Sequence, residues 1–400
     1  MQTSTKMLLE LLVLALMAIS CHAQGEAPIG AIELTLVHDA GTKGAVCLDG
    51  SLPGYHLDLG SGAGSNSWIV HLEGGAWCSD ATSCAFRAGT HLGSSRFMNA
   101  TVFQGILSSS PRINPYFYNW NRVKVRYCDG GSFSGDAEFP MLGRSPITKE
   151  FQILYFRGQR IWEAVMEDLL ARGMSDASRA LLSGESAGGL ASLIHCDSFR
   201  ELFFEDVEVK CLSDGGIFLD IADINGYLFA QSYFRKVVNL QNIGKNLPRE
   251  CTVERDNGQC FLAQYFLEGI YTPVFILQST YDTYQIQNFL VPSSEDPLRK
   301  WIPCKNNPRL CSVSELKVLQ EFHFGMLHAL HPIESFTTWG AYLVSCFCHT
   351  QSQENFQWDG TSRIAGMSVV DAIGQWAYRG VGTKYVDCPY PCNPTCRSRS

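Results

Sequence analysis

The chain has 400 residues, of which 46% are hydrophobic and 12% aromatic, so it can bury the core of one large domain or of two smaller ones. Its formal net charge of −8 gives it no electrostatic reason to bind nucleic acid or an anionic membrane surface. If the substrate is a polyanion, local basic groups must offset that net charge.

The first residues predict a secretory signal peptide at 1–23. Lys6 precedes an apolar run, 7–19, that only Glu10 interrupts, and Cys21-His22-Ala23 places small residues at a cleavage site. The run is too short for a membrane span, and no later stretch is long and apolar enough for one. Because the sequence shows no internal repeat, interdomain linker or low-complexity segment, we expect residues 24–400 to form a single secreted domain.

The rest of the chain predicts strands that alternate with helices. Residues 32–48 predict one or two short strands around a turn at 39–41, and residues 50–67 predict a loop. The longer apolar runs predict buried strands at 68–72, 122–127, 179–183, 273–278 and 341–348, and helices at 157–171 and 190–196. This order predicts an α/β fold of the α/β-hydrolase type, with a mostly parallel sheet flanked by helices and the site at the carboxyl ends of the strands.

The segment Gly184-Glu185-Ser186-Ala187-Gly188 predicts a nucleophile. It follows a buried strand and precedes a helix, which is the nucleophile-elbow arrangement of α/β-hydrolases. The flanking glycines fit a turn too tight for a Cβ and allow the helix to pack close to the strand. The alternative is a glycine-rich turn that happens to contain a serine, but the strand and helix around it favour Ser186 as the catalytic residue.

A serine nucleophile needs a base and an acid that orients the base, and these follow the serine in the order acid, then histidine. Asp282 comes just after the predicted strand at 273–278 and is favoured over Asp214, Asp220 and Asp223, which look like turn or helix-cap residues. An Asx turn is the alternative for Asp282. The candidate bases are His349, which follows the strand at 341–348, and three histidines on or near a helical segment: His323, His328 and His331. From position alone the choice among these four stays open.

The oxyanion hole of such an enzyme is built from backbone N–H groups. Ala187, directly after the nucleophile, is expected to supply one. The glycine-rich loop Glu73-Gly74-Gly75-Ala76-Trp77 follows an early strand, so Gly75 and Ala76 are the expected further donors. Trp77 is either an apolar wall for the substrate or a core residue.

Cysteine usage predicts a disulfide-rich, secreted protein. Of 16 cysteines, 15 remain after residue 23, and several form close pairs: Cys78/Cys84, Cys251/Cys260, Cys304/Cys311 and Cys388/Cys392/Cys396. The ligand spacings of zinc modules are missing, so no metal is expected. Asn99-Ala100-Thr101 is an acceptor sequon and predicts a glycosylated surface loop.

Several motifs in order resemble the plant pectin acetylesterase family, which is related to the Notum-type carboxylesterases. They cover nearly all of the mature chain: 72–78, 127–130, 155–158, 186–191, 212–216 and the tail Cys388-Pro389-Tyr390-Pro391-Cys392-Asn393-Pro394-Thr395-Cys396. The resemblance implies an α/β-hydrolase-like fold, a triad of Ser186, Asp282 and His349, secretion to the cell wall, and removal of acetyl groups from galacturonan. A serine esterase mechanism of this kind requires no cofactor, so none is expected.

The chain departs from the family pattern at three places. Glu185 and Thr350 stand where the family usually has Cys, Cys348 is an additional cysteine, and Ala76 stands where Gly is common. Because 15 cysteines cannot all pair within the chain, at least one must lie outside the intrachain disulfides. Cys348 is the candidate for that cysteine. Glu185 is expected either to raise the pKa of the base slightly or to point into solvent.

The resulting hypothesis is a secreted, monomeric serine carboxylesterase acting on acetylated pectin, with no nucleic-acid or membrane partner. A Notum-like deacylase of a longer acyl ester and a non-catalytic polysaccharide-binding homologue are the alternatives. The candidates for binding a uronate carboxylate are Arg87, Arg96 and Arg157, each of which lies near a motif.

Overall fold

The computed structural model describes residues 30–137, 140–360, 362–380 and 382–396, so the predicted signal peptide at 1–23 lies outside the described residues. Within these ranges the strands are β1 (Leu34–Leu36), β2 (Gly54–Asp58), β3 (Ser67–Leu72), β4 (Asn121–Val125), β5 (Met141–Arg144), β6 (Phe151–Leu154), β7 (Arg179–Glu185), β8 (Glu208–Asp214), β9 (Val274–Ser279), β10 (Gly340–Val344) and β11 (Lys384–Val386).

Nine of these strands form one sheet in the order β1-β2-β4-β3-β7-β8-β9-β10-β11, and β5 and β6 form a separate hairpin. The seven strands from β4 to β11 in that order are parallel to one another. At the edge next to β4, β2 pairs antiparallel with both β4 and β1. The predicted α/β fold with a mostly parallel sheet is confirmed. Leu72 pairs with Gly184, Glu185 with Asp214, and Ser279 with Val344, so the loops that follow these strands open at the same edge.

The helices cover the two faces of this sheet. Their bounds are α1 (Ala81–Ala88), α2 (Gly158–Ala171), α3 (Ala187–Ile194), α4 (Cys196–Arg200), α5 (Phe229–Gln241), α6 (Arg249–Thr252), α7 (Asn257–Cys260), α8 (Thr283–Gln285), α9 (Ile302–Asn306), α10 (Val313–Leu330), α11 (Asn355–Trp358) and α12 (Val369–Arg379). Short 3₁₀ segments lie at His38–Lys43, Gly62–Gly64, Ser95–Phe97, Gly105–Leu107, Met174–Asp176, Ile243–Asn246, Ala263–Tyr265, Leu267–Gly269, Pro308–Leu310 and His331–Ser335, and a π-helical turn at Ile286–Leu290 follows α8. None of the helices in the described ranges is long and apolar enough to cross a bilayer.

The core lies on both faces of the sheet, which explains why the central strands read as continuous apolar runs. All six residues of β3 and of β9 are buried. Successive side chains alternate between the faces, since Val70 and Leu182 belong to one cluster of buried side chains, whereas Ile69 and Leu181 belong to the other.

Three predicted elements differ from the structure. Residues 45–47 are not a strand, because Cys47 turns away from the sheet to bond Cys128. The predicted loop at 50–67 contains β2, which pairs antiparallel with β4. The strand predicted at 341–348, which is β10, ends at Val344, because the Ser345 N–H donates to the Asp387 carboxylate at 3.1 Å instead of continuing the sheet.

Seven disulfides link fourteen of the described cysteines, and they include the predicted pairs Cys78–Cys84, Cys251–Cys260 and Cys304–Cys311. In the predicted tail group Cys388 bonds Cys392, whereas Cys396 bonds the distant Cys346. The others are Cys47–Cys128 and Cys196–Cys211. Cys348 lies outside these seven bonds, as predicted.

Candidate active site

Ser186 lies at the sharp turn between β7 and α3. Its backbone has φ 57° and ψ −122°, a strained conformation that places the side chain beyond the end of β7. Ser186 is 7% exposed there. A Cβ on Gly188 would lie 2.1 Å from the Leu72 carbonyl oxygen, and one on Gly184 would lie 2.1 Å from the Gly188 carbonyl oxygen. Only glycine therefore allows α3 to pack this closely against the strands below it.

A continuous chain of hydrogen bonds connects the Ser186 hydroxyl to a buried carboxylate. Ser186 Oγ is 2.7 Å from His349 Nε2, and His349 Nδ1 is 2.8 Å from Asp282 Oδ2. Because a carboxylate only accepts, the hydrogen lies on Nδ1, and the lone pair of Nε2 faces the hydroxyl. The structure thus brings together the three residues expected to form a triad. The other three histidines lie on or next to α10, and the ring of His323 is stacked on Tyr281.

Asp282 is held for this contact by its own surroundings. It follows β9, is fully buried, and accepts from the Gln285 N–H at 2.9 Å and from Gln278 Nε2 at 3.2 Å. The same hydrogen bond to Gln285 caps the short helix α8, so the carboxylate is both a helix cap and the partner of the imidazole.

The His349 ring is packed against aromatic side chains. It stacks on Tyr284 with ring centroids 5.0 Å apart, and the Phe218 ring lies 6.2 Å away. Burial opposes protonation of the ring, but the carboxylate of Asp282, with smaller contributions from Asp214 and Glu185, outweighs it and raises the pKa of His349 above its ordinary value.

The glycine-rich loop after β3 lies against the elbow. A Cβ on Gly74 would lie 2.8 Å from Ser186 Cβ, and Gly75 has φ 150° with no room for a side chain beside Leu92. Ala76 adopts φ 57°, which is unusual for a residue other than glycine, and its carbonyl accepts from the Tyr127 hydroxyl at 2.8 Å. Among the hydrogen bonds of the described residues, none has the N–H of Gly75, Ala76 or Ala187 as its donor.

The chain is 46% identical over 374 residues, 92% of its length, to pectin acetylesterase 5 of Arabidopsis thaliana, which it covers to 86%. Pectin acetylesterase 7 of the same plant is 44% identical, with 96% of each chain covered. The palmitoleoyl-protein carboxylesterase notum1a of Danio rerio is 27% identical over 90% of this chain and 72% of its own. The family model described as pectinacetylesterase matches residues 26–397. The chain belongs to the pectinacetylesterase family. The predicted family and the predicted carboxylic-ester hydrolase class are thereby confirmed.

Glu185, one of the departures predicted from the family pattern, is not directed into solvent. Only 3% of it is exposed, and its Oε1 accepts from the Gly74 N–H at 2.9 Å and from Gln353 Nε2 at 2.8 Å. Its Oε2 contacts His71 Nε2, and His71 Nδ1 is 2.7 Å from Ser183 Oγ. Glu185 therefore connects the glycine-rich loop, the elbow and the segment after His349 through one buried carboxylate.

Asp214 is not a turn residue, as the sequence suggested, but the last residue of β8. Its Oδ2 accepts from the N–H groups of Gln351 and Ser352 and from the Ser352 hydroxyl, each at 2.7 Å. Burial raises its pKa to about 6. These bonds fasten the segment that follows His349, and a Cβ on Gly215 would lie 2.6 Å from the His349 carbonyl oxygen. Asp223 does form a turn, since it accepts from the N–H groups of Asn225 and Tyr227.

Trp77 lies in the core below the site. It is 5% exposed, its Nε1 donates to Ser132 Oγ at 2.7 Å, and its ring meets Phe218 and Phe234 edge-on with centroids 4.9 Å apart. Ser132 Oγ in turn donates to the Ala187 carbonyl at 2.8 Å. Trp77 therefore supports the elbow from beneath, and no face of its ring is open for a sugar.

The three arginines proposed as carboxylate ligands are placed differently. Arg87 is 8% exposed and donates to the Gly75 carbonyl, so it braces the glycine-rich loop. Arg157 pairs with Asp136 at 3.0 Å, and Arg96 is exposed, 3.7 Å from Asp49. Asn99 is exposed, as a glycosylated asparagine must be.

A groove of about 450 Å³ opens beside His349, and sequence reasoning missed it. Its wall consists mainly of polar side chains and includes His349, Thr350, Gln351, Gln353, Gln287, Asn306, Lys305 and Phe356. These residues come from α8 and the turn after it, from α9, from the loop after β10 and from α11. No motif marks them, because they come together only where these four segments meet.

Proposed function

We propose that this chain is a secreted serine esterase that releases acetate from acetylated pectin, with Ser186, His349 and Asp282 as its catalytic triad. The observation that carries the proposal is the line of hydrogen bonds from Ser186 Oγ through both nitrogens of His349 to Asp282. The names of the two plant relatives support pectin as the substrate.

In the first half of the reaction, His349 Nε2 takes the proton of Ser186 Oγ as the oxygen attacks the acetyl carbonyl carbon. The charge that develops on the carbonyl oxygen faces the N–H groups of Gly75, Ala76 and Ala187, which are not engaged in other hydrogen bonds within the described residues. The tetrahedral intermediate collapses when the imidazolium gives its proton to the sugar oxygen, which leaves.

In the second half, water attacks the acetyl-enzyme and His349 accepts its proton. The carbonyl re-forms, acetate leaves, and the proton returns to Ser186 Oγ. Asp282 holds Nδ1–H throughout and stabilises the imidazolium in both halves. These steps need only the groups named and one water molecule.

The packing around His349 favours a short acyl group. Tyr284 and Phe218 lie against the imidazole, and behind them Trp77, Phe234 and Phe289 fill the space with ring contacts of 4.9 to 6.4 Å. An acyl chain that entered among these rings would have to displace them, and the cost would grow with its length. This observation supports acetate over the acyl group named for the Notum relatives.

Secretion to the cell wall and a monomeric state belong to the same proposal. Seven disulfides form and persist in an oxidising compartment, and an exposed Asn99 fits glycosylation on the secretory route. Gel filtration of the purified protein tests the monomeric state. A loss of mass on removal of N-glycans tests passage through the secretory route, and this loss should be absent in Asn99→Gln, while extraction of the protein from isolated cell walls tests its location.

The decisive experiment measures acetate released by the purified protein from acetylated pectin, acetylated xylan and a palmitoyl ester, with Ser186→Ala as control. Acetate from pectin that disappears in the variant is the expected result. A preference for xylan or for the palmitoyl ester would keep the mechanism and replace the substrate. Turnover that persists in Ser186→Ala would refute the triad, and no turnover on any substrate would favour a polysaccharide-binding protein without catalysis.

A further inference from the structure

The groove beside His349 has the chemistry of a carbohydrate site. Its volume of about 450 Å³ is in the usual range for ligand sites, roughly 300–1,000 Å³. Amide side chains that line it, those of Gln287, Asn306 and Gln357, can both donate to and accept from sugar hydroxyls. Phe356 also lines it with 60% of its surface exposed, so its ring can cover the apolar C–H face of a sugar.

One side chain distinguishes this groove from a site for neutral sugars. Among the described residues of its lining, Lys305 is the only lysine or arginine and Glu354 the only carboxylate. An ammonium group on the lining attracts an anionic ligand locally, although the protein as a whole carries a net charge of −8. Lys305 is thus the local basic group that such a protein needs for an acidic substrate.

The position of this ammonium is defined by the surrounding structure. Lys305 lies on α9, which the Cys304–Cys311 disulfide ties to the following segment. Its Nζ donates to the Val291 carbonyl at 3.0 Å. An ammonium has three N–H donors, so this bond holds the head group in place and leaves donors for a ligand.

We propose that this groove binds the polymer chain of the substrate and that Lys305 contacts the carboxylate of a uronate residue neighbouring the acetylated sugar. The inference rests on the proposed function, because it takes the ester bond to be cleaved at Ser186. His349 forms part of the groove wall, so a chain lying in the groove passes the imidazole that faces the serine. The enzyme therefore prefers acetylated galacturonan with free carboxylates over the same polymer with methyl-esterified carboxylates.

The test compares two preparations of one acetylated galacturonan, with carboxylates free or methyl-esterified, and measures kcat/KM for acetate release on each. The ratio of the two values is the readout, because it does not depend on how much of a preparation is folded. Lys305→Met is expected to lower this ratio about two- to fivefold, the effect of one partly exposed charge contact. Lys305→Arg keeps the charge and should keep most of the ratio.

The matched control is Lys300→Met. Lys300 is exposed, lies in the same segment and is not part of the groove lining, so the variant removes the same charge from the protein without touching the groove. Its ratio should equal that of the wild type. If Lys305→Met and Lys300→Met change the ratio equally, or if neither changes it, the inference is wrong. If the wild type releases no acetate from either galacturonan but hydrolyses p-nitrophenyl acetate, the proposed function itself is wrong, and this inference with it.

Discussion

The buried Glu185 carboxylate allows its charge and its hydrogen bonds to be tested separately. In Glu185→Gln, the remaining carbonyl oxygen can still accept from the Gly74 N–H and from Gln353 Nε2, now 2.9 and 2.8 Å from the carboxylate. The new amide group faces His71 Nε2, which can become the acceptor if the His71 hydrogen moves to Nδ1 and is donated to Ser183 Oγ. In Glu185→Ala both acceptor atoms are lost.

Glu185→Ala and Glu185→Gln should affect different properties of the enzyme, and Glu185→Ala should have the larger effect. In Glu185→Ala the Gly74 N–H and Gln353 Nε2 lose their acceptor, whereas His71 can move its hydrogen to Nδ1 and donate to Ser183 Oγ. Two unsatisfied donors at about 1–3 kcal/mol each should lower the free energy of unfolding by about 2–6 kcal/mol. Because Gly74 precedes the expected oxyanion donors, kcat of the folded fraction should fall about 10²–10³-fold, the effect of losing one such donor.

Glu185→Gln, which removes the charge but keeps an acceptor, should change the pH dependence of kcat/KM instead. The Glu185 carboxylate helps to raise the pKa of His349, so its removal lowers that pKa. His349 must be neutral to accept the Ser186 proton. The acid limb of the kcat/KM profile should therefore move to lower pH in Glu185→Gln. We expect a shift of less than about one pH unit, because Asp282 contributes more to the pKa of His349 than Glu185 does.

The assay is the pH profile of p-nitrophenyl acetate hydrolysis together with urea unfolding of each variant. Glu205→Gln, which removes the same charge from the exposed turn after α4, is the control and should match the wild type in both measurements. An acid limb that stays in place or moves to higher pH in Glu185→Gln would refute the electrostatic part. Normal kcat and stability in Glu185→Ala would refute the structural part.

Three further changes test other parts of the site. Asp282→Asn should lower kcat about 10³–10⁴-fold through the wrong imidazole tautomer, with an unchanged circular dichroism spectrum; near-normal kcat would remove Asp282 from the mechanism. Phe218→Ala should raise the butyrate-to-acetate ratio of kcat/KM up to about fifteenfold, the value of two buried methylenes, whereas the buried but distant Phe199→Ala should leave the ratio unchanged. Phe356→Ala should raise KM for pectin about two- to fivefold, whereas Phe204→Ala, which removes an exposed ring outside the groove, should not; equal values would remove Phe356 from the groove's binding surface.

Local patterns were sufficient where a residue's setting is defined by its neighbours in the chain. The elbow needs glycines at positions 184 and 188, because a Cβ on Gly188 would clash with the Leu72 carbonyl and one on Gly184 with the Gly188 carbonyl. Both glycines are visible in the sequence. Asp282 was favoured because it follows a buried apolar run, which is β9. For the histidine, position alone left four candidates, and the family resemblance selected His349, the one that lies 2.7 Å from Ser186 Oγ.

Patterns failed where a residue's setting is defined by distant segments. Asp214 also ends a strand, yet it resembled a turn residue because its partners, Gln351 and Ser352, lie 137 and 138 positions further along the chain. Lys305 was not singled out because α9 carries no motif, and the groove exists only where α9 meets the loop that holds His349.

The sequence by itself determined the fold class, the family, the cysteine pairs close in the chain and the residues that could form a triad, because each depends on residue type at short spacing. Only the tertiary structure decided what Glu185 does, which arginines are used to brace loops, and which cation lines the groove. A buried carboxylate such as Glu185 is stable only if its partners surround it, and those partners, Gly74, His71 and Gln353, come from other strands and loops. Their meeting depends on the register of the sheet, in which Leu72 pairs with Gly184, and on the path of the chain after β10, neither of which a short sequence pattern contains.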